Sequence, residues 1–229
     1  MSTIKYLYGK SEFLSGLIEG GGTLRLCDIR HYGRLENEKI RDLEERKEYE
    51  YEPGAITLSI NDHEIQAEEF ASNLKLNLPT RLCYCICFSS KKDAPELYNK
   101  FDADVCLEFN VDSLTEFLEF VFPKDHGCQV EHRPVTYYDV NPLLNMTDPH
   151  NSVFMKHLSF KDEDEYRLAV FFPFDGRTIL NAGGQKIEML KQCLCKPEEI
   201  NRCTCYFIYL DNGLSDKFAS YISNVYTRS

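Results

Sequence analysis

No stretch of this 229-residue chain is apolar for the roughly 20 residues that a membrane-spanning helix needs. The first ten residues, MSTIKYLYGK, lack the apolar run of a signal peptide, so a soluble, cytoplasmic protein is expected. The phosphate-binding signatures G-x-G-x-x-G and G-x-x-x-x-G-K-[ST] are missing, as are the G-x-S-x-G nucleophile turn and H-E-x-x-H. The glycines of EGGGT connect a helical pattern to a strand pattern, the wrong order for a nucleotide loop, and fit a helix C-cap and turn. The six histidines fall at no metal-ligand spacing, and His132 and His157 fit structural roles. No stretch has the composition of a linker, and no internal repeat or low-complexity tract occurs. One domain over residues 1–229 is expected.

Basic residues are in the minority. Lys and Arg number 26 against 37 Asp and Glu, for a formal net charge of −11. Such a chain repels nucleic acid at long range, and binding it would require a local basic groove. Arg25, Arg30, His31 and Arg34 form one such cluster, unless they are ordinary solvated charge.

What is present is a globular pattern, with 43% hydrophobic residues. Strand patterns cover residues 4–8, 23–29, 55–60, 81–89, 104–110 and 165–172, with a strand broken at Pro134 over 128–138. Helical patterns cover 11–21, 64–74, 95–101, 112–122 (capped by aspartate) and the C-terminal 214–226. Residues 34–51 predict a charged, solvent-exposed helix with a narrow Leu35, Ile40 and Leu43 stripe, suited to a lid or a partner-binding arm. Residues 185–195 and 203–210 predict a hairpin. Strands and helices mix without a regular βαβ repeat, which predicts an α+β fold with a mostly antiparallel central sheet and flanking helices.

The ten cysteines, without a secretion signal, read as thiols. Cys83, Cys85 and Cys87 alternate, so they share one face of a strand. Cys193, Cys195, Cys203 and Cys205 would meet across the expected hairpin. Four thiolates can hold zinc, but the usual spacing leaves two or more residues between paired cysteines, and here each pair has one. A thiol-lined sheet face without metal is the expectation. The acidic run KDEDEYR (161–167) places Glu163, Glu165 and Arg167 on one face of an extended chain and Asp162 and Asp164 on the other. Two such glutamates can stabilise an oxocarbenium-like transition state. They can equally be a charged strand end that Arg167 satisfies.

The order of several motifs resembles a large bacterial family often found near defence genes. They are KYLY with Tyr6 and Tyr8, CICFSS (85–90), ELYNKF around Tyr98, ADVCLEF (103–109), and KHLSFKDEDEYR with Lys156, Phe160, Glu163, Glu165, Tyr166 and Arg167. The resemblance covers residues 4–172, and the last motif is its most specific part. The chain departs from the pattern where HYGRLENE replaces an F-N-D-P element, where Ala103 or Asp104 replaces a glycine, and in having no tryptophan.

That layout is similar to the ADP-ribosyltransferases, and the resemblance implies an ADP-ribosyltransferase-like fold that uses NAD. Glu165 would stabilise the ribosyl cation, Glu163 would orient or deprotonate the nucleophile, and Ser89 would hold the ribose. Tyr6, Tyr8 or Tyr98 would stack on nicotinamide or adenine, and Lys156 or Arg30 would meet the pyrophosphate. The resemblance also implies a macromolecular acceptor, nucleic acid or protein, a toxin or anti-phage role, and an antitoxin or inhibitor protein contacting residues 34–51. Two other readings stay open. One is a magnesium-dependent nuclease or phosphodiesterase using Asp162, Glu163 and Glu165. The other is a non-catalytic interaction module.

Overall fold

The computed structural model describes residues 2–20, 22–34, 46–55, 57–69, 72–139, 149–173, 178–180, 184–190, 193–195, 204–210 and 215–228. They build an α+β fold around an eight-stranded sheet whose strand pairings are all antiparallel. Its strands are β1 (Ile4–Gly9), β2 (Leu24–Asp28), β3 (Cys83–Ser89), β4 (Val105–Asn110), β5 (Gln129–Pro134), β6 (Glu165–Phe171), β7 (Phe207–Leu210) and β8 (Ile222–Thr227).

Alternation along the strands sorts the side chains onto two faces. Leu7, Leu24, Leu26, Ile86, Phe88, Leu107, Leu168 and Val170 make one face. It is covered by α1 (Ser11–Ile18) and α3 (Val111–Val121). Gly20 at φ +79° turns the chain after α1, as expected of a helix C-terminal glycine. The opposite face carries Cys83, Cys85, Ala169 and Phe171 under Val153 and Phe154, and farther along Tyr6 and Tyr8 beside Tyr98 and Cys106. Tyr98 belongs to α2 (Pro95–Phe101), which opens on a proline at its first turn. The buried thiols Cys83 and Cys85 serve as small apolar groups in this core.

Several elements differ from the sequence reading. The expected helix over 34–51 lies outside the described residues from 35 to 45, and Arg46–Tyr51 is a strand paired with Leu74–Pro79. In RKEYEY, Lys47, Tyr49 and Tyr51 alternate with exposed acids, and burying that two-residue period outweighs helix propensity. Among the described residues of 64–74, the helical pattern holds only as a short 3₁₀ turn at Ala67–Glu69. Among the described residues, the expected hairpin between 185–195 and 203–210 is not formed. Lys186–Glu188 pairs with Thr178–Leu180, and β7 pairs with β2. The C-terminal helical pattern holds only as α5 (Ser215–Ser220), α4 being the short Pro149–Ser152, and β8 then closes the sheet against β4. The cap of α3 is Asn110, whose Oδ1 accepts from the Ser113 amide at 3.2 Å, while Asp112 accepts from the Thr3 amide at 2.7 Å.

Candidate functional site

The sheet forks at β3. One edge of β3 pairs with β6 along its whole length, from Glu165 opposite Ser89 to Phe171 opposite Cys83. The other edge meets β2 at one end, Cys27 opposite Cys85, and β1 at the other, Tyr6 opposite Ser89. Between those contacts β1 and β2 diverge. A cavity of about 290 Å³ occupies the fork, walled by Tyr6, Tyr8, Arg25, Cys87, Ser89 and Phe101 among others. The register places Tyr6, Ser89 and Glu165 abreast on three neighbouring strands.

The acidic run is less regular than an extended strand. Leu158–Glu163 forms a 3₁₀ helix, Asp164 takes φ +44°, and β6 begins only at Glu165. This turn still delivers Glu163 and Glu165 to the same ammonium group. Lys156 Nζ donates to Glu163 Oε2 at 2.7 Å and to Glu165 Oε2 at 3.0 Å. Arg167 holds the other side of Glu165, donating to Oε1 from Nε at 2.9 Å and from a terminal nitrogen at 2.7 Å. A second arginine nitrogen donates to the Val153 carbonyl. Lys100 lies 3.0 Å from Glu163 Oε1 and donates to Asp162 Oδ1 at 2.8 Å. Ser89 Oγ donates to the Glu163 carbonyl at 2.6 Å and accepts from the Lys91 amide, and Tyr137 Oη accepts from the Glu165 amide at 2.7 Å. The turn is thus pinned by its backbone as well as its charges.

Glu163, Glu165, Lys156 and Arg167 are all buried, at 3%, 4%, 6% and 1% exposure. Charges at such depth persist only when paired, and this row alternates in sign. Burial nevertheless raises the Glu163 carboxyl above the ordinary 4.5, aided by the Glu165 charge and opposed by Lys156. The thiols along the cavity floor are pushed well above the usual thiol range. Burial dominates for Cys27, and hydrogen bonding among neighbouring thiols comes first for Cys85 and Cys87. They are neutral walls rather than nucleophiles. Cys87 Sγ donates to Tyr32 Oη at 3.1 Å.

Of the residues singled out in the sequence, Glu163, Glu165, Lys156, Ser89, Tyr6 and Tyr8 all line this cavity. Tyr98 does not. It is 2% exposed, donates to Asp93 at 2.7 Å and packs edge-on against Tyr8, so it backs the wall and cannot stack on a ligand. Arg30 is also elsewhere, clasping buried Asp28 at 3.0 and 2.6 Å. Of that basic cluster, Arg25 and His31 reach the cavity. Sequence reasoning missed Lys100, Tyr137, Tyr32 and Phe101. Lys100 meets Asp162 across 62 positions, a contact with no local signal.

No family model, no curated protein and no solved structure matches the chain. No described helix is long and apolar enough to cross a membrane.

Proposed function

We propose that the forked cavity binds NAD and that the protein transfers ADP-ribose from it to a macromolecular acceptor, protein or nucleic acid. The observation that carries this reading is the alignment of Tyr6, Ser89 and Glu165 across three strands, with Glu163 joined to Glu165 through Lys156. Aromatic residue, hydroxyl and glutamate then stand side by side at the mouth of a split sheet. The cavity, about 290 Å³, sits at the small end of ligand pockets. It suits the nicotinamide-ribose half, with the rest of the dinucleotide extending outward past Arg25 and His31.

NAD supplies a cationic leaving group, so its C1′–N bond can break heterolytically and nicotinamide departs with the electron pair. Glu165 stabilises the positive charge that develops at C1′. Arg167 behind it fixes its orientation through two charge-assisted hydrogen bonds. Glu163, with its raised carboxyl pKa, accepts the proton from the acceptor oxygen or nitrogen as the new bond forms. Ser89 positions the ribose, Tyr6 and Tyr8 pack against nicotinamide, and Lys156 keeps the two carboxylates together without mutual repulsion. A toxin or anti-phage role, restrained by an inhibitor protein, fits such an activity.

The donor set does not favour magnesium. Asp162 turns to Lys100, Glu163 and Glu165 already share Lys156, and Glu165 also holds Arg167, so three cations stand where a metal would need open carboxylates. Incubating the purified protein with NAD labelled on the adenosine side, in cell lysate, tests the proposal. Label should enter acid-insoluble protein or nucleic acid. Label that stays in NAD or in free ADP-ribose would oppose transfer.

A further inference from the structure

Three cysteines far from the cavity floor in sequence come together at the surface. The sulfurs of Cys193, Cys195 and Cys205 lie within 4.8 Å of one another. They do not line a sheet. Cys193 and Cys195 sit in irregular chain, and Cys205 sits in the turn that leads into β7. Cys195 Sγ is 3.8 Å from Cys205 Sγ. A disulfide would hold its sulfurs at about 2.0 Å. A tetrahedron of Zn–S bonds of about 2.3 Å has S···S edges of about 3.8 Å. Leu194, between the first two cysteines, is 88% exposed, as expected when the thiols on either side turn toward a common centre. The Cys195 amide also donates to Cys193 Sγ at 3.4 Å, a bond that favours the thiolate.

We propose that Cys193, Cys195 and Cys205 bind a zinc ion as three thiolate ligands, with a water or one further donor in the fourth tetrahedral position. Soft thiolates in this number select zinc over magnesium or calcium. Each thiol gives up its proton as the metal enters, so no oxidant or reductant is involved. The single residue between Cys193 and Cys195, which argued against zinc in the sequence, does not keep the two sulfurs apart from Cys205, since all three lie within 4.8 Å of one another.

The ion would clamp the start of β7. Cys205 directly precedes Tyr206, whose carbonyl accepts from the Asp28 amide at 2.7 Å. The next residue, Phe207, packs 4.8 Å from His31 and 4.5 Å from the Arg25 guanidinium. The clamp thereby steadies the cavity wall that carries Arg25 and His31.

The test is elemental analysis of the purified full-length protein, with cobalt(II) exchange on the same sample. The expected result is about one zinc per chain, thiolate-to-cobalt charge-transfer bands, and a lower melting temperature after chelation. Cys195→Ser and Cys205→Ser should lose the metal, and Cys83→Ser, in the sheet core, should keep it. Zinc at background level with no cobalt–thiolate bands in the wild type would overturn the proposal, and that measurement does not depend on any variant folding. Metal retained in both Cys195→Ser and Cys205→Ser would also overturn it, as would a Cys195–Cys205 disulfide in freshly purified protein.

Discussion

Two glutamates, one on a strand of the sheet and one at the end of the 3₁₀ turn before β6, meet opposite fates. Glu108, on β4, accepts from Ser223 at 2.6 Å, Asn224 at 2.9 Å and Tyr226 at 2.8 Å, with Lys92 3.9 Å away. Those neutral donors, led by Ser223, lower its carboxyl pKa. Glu163 has two lysines within 3.0 Å, yet its pKa is raised. The difference is depth. The Glu108 side chain is 12% exposed at a wet rim, whereas Glu163 is 4% exposed beside a second carboxylate. Nearby cations alone do not ensure a lowered carboxyl pKa. At the rim, hydroxyl and amide donors satisfy the charge with little desolvation. In the fork, desolvation outweighs two cations and leaves a group ready to take a proton.

The strongest test of this contrast removes the cation behind the buried pair. Arg167→Ala should destabilise the fold by about 3–5 kcal/mol in denaturant unfolding, because Glu165 would keep its burial and lose one of its two cationic partners, with only Lys156 left to it. A loss below about 1 kcal/mol would mean that water reaches this end of the cavity.

A titration of stability separates the two glutamates by sign. Glu163 has a folded pKa above 4.5, so the native state holds its proton longer than the unfolded chain does. Wild-type stability therefore falls, relative to Glu163→Gln, as pH rises from about 4.5 through the folded pKa. Each pK unit of displacement is worth about 1.4 kcal/mol. Glu108 should show the opposite slope. Its contribution is present above 4.5 and is lost as pH falls through its lowered folded pKa. Parallel slopes for the two variants would break the comparison.

Smaller effects follow at the rim and the tyrosine wall. Tyr8→Phe removes a hydroxyl that donates to the Lys91 carbonyl and accepts from the Ala94 amide, both at 2.8 Å, and should cost about 1 kcal/mol. Glu108→Gln at neutral pH should cost less than about 1 kcal/mol, since its remaining donors are near the surface. Thermal melts of both proteins would rank them.

Much of the sheet was legible from short runs rich in apolar and aromatic residues. The strands β1, β3, β4 and β6 lie on such runs, largely buried or half-buried along their length. Residues 46–51 carry a two-residue period, but their dense charge imitates an exposed helix, and only the pairing with Leu74–Pro79 resolves it. The last strand was hidden because its residues follow α5 within one amphipathic run, and the choice between strand and helix there is made by the free edge of β4. In the site, Glu163, Glu165, Lys156 and Arg167 were visible as one short motif. Lys100 and Tyr137 were not, because they arrive through contacts 62 and 28 positions away. Tyr98 shows the reverse error. Its place in the motif order suggested a ligand contact, and its burial against Tyr8 removes it from the cavity.

The most direct measurement is the rate at which purified protein releases nicotinamide from NAD, with and without lysate, for wild type and Glu165→Gln. The account predicts release by the wild type, stimulated by lysate, and a drop of about 10²–10³-fold in a Glu165→Gln variant that still unfolds cooperatively. Equal release by the two proteins, or a wild type that neither binds NAD nor releases nicotinamide, would contradict it.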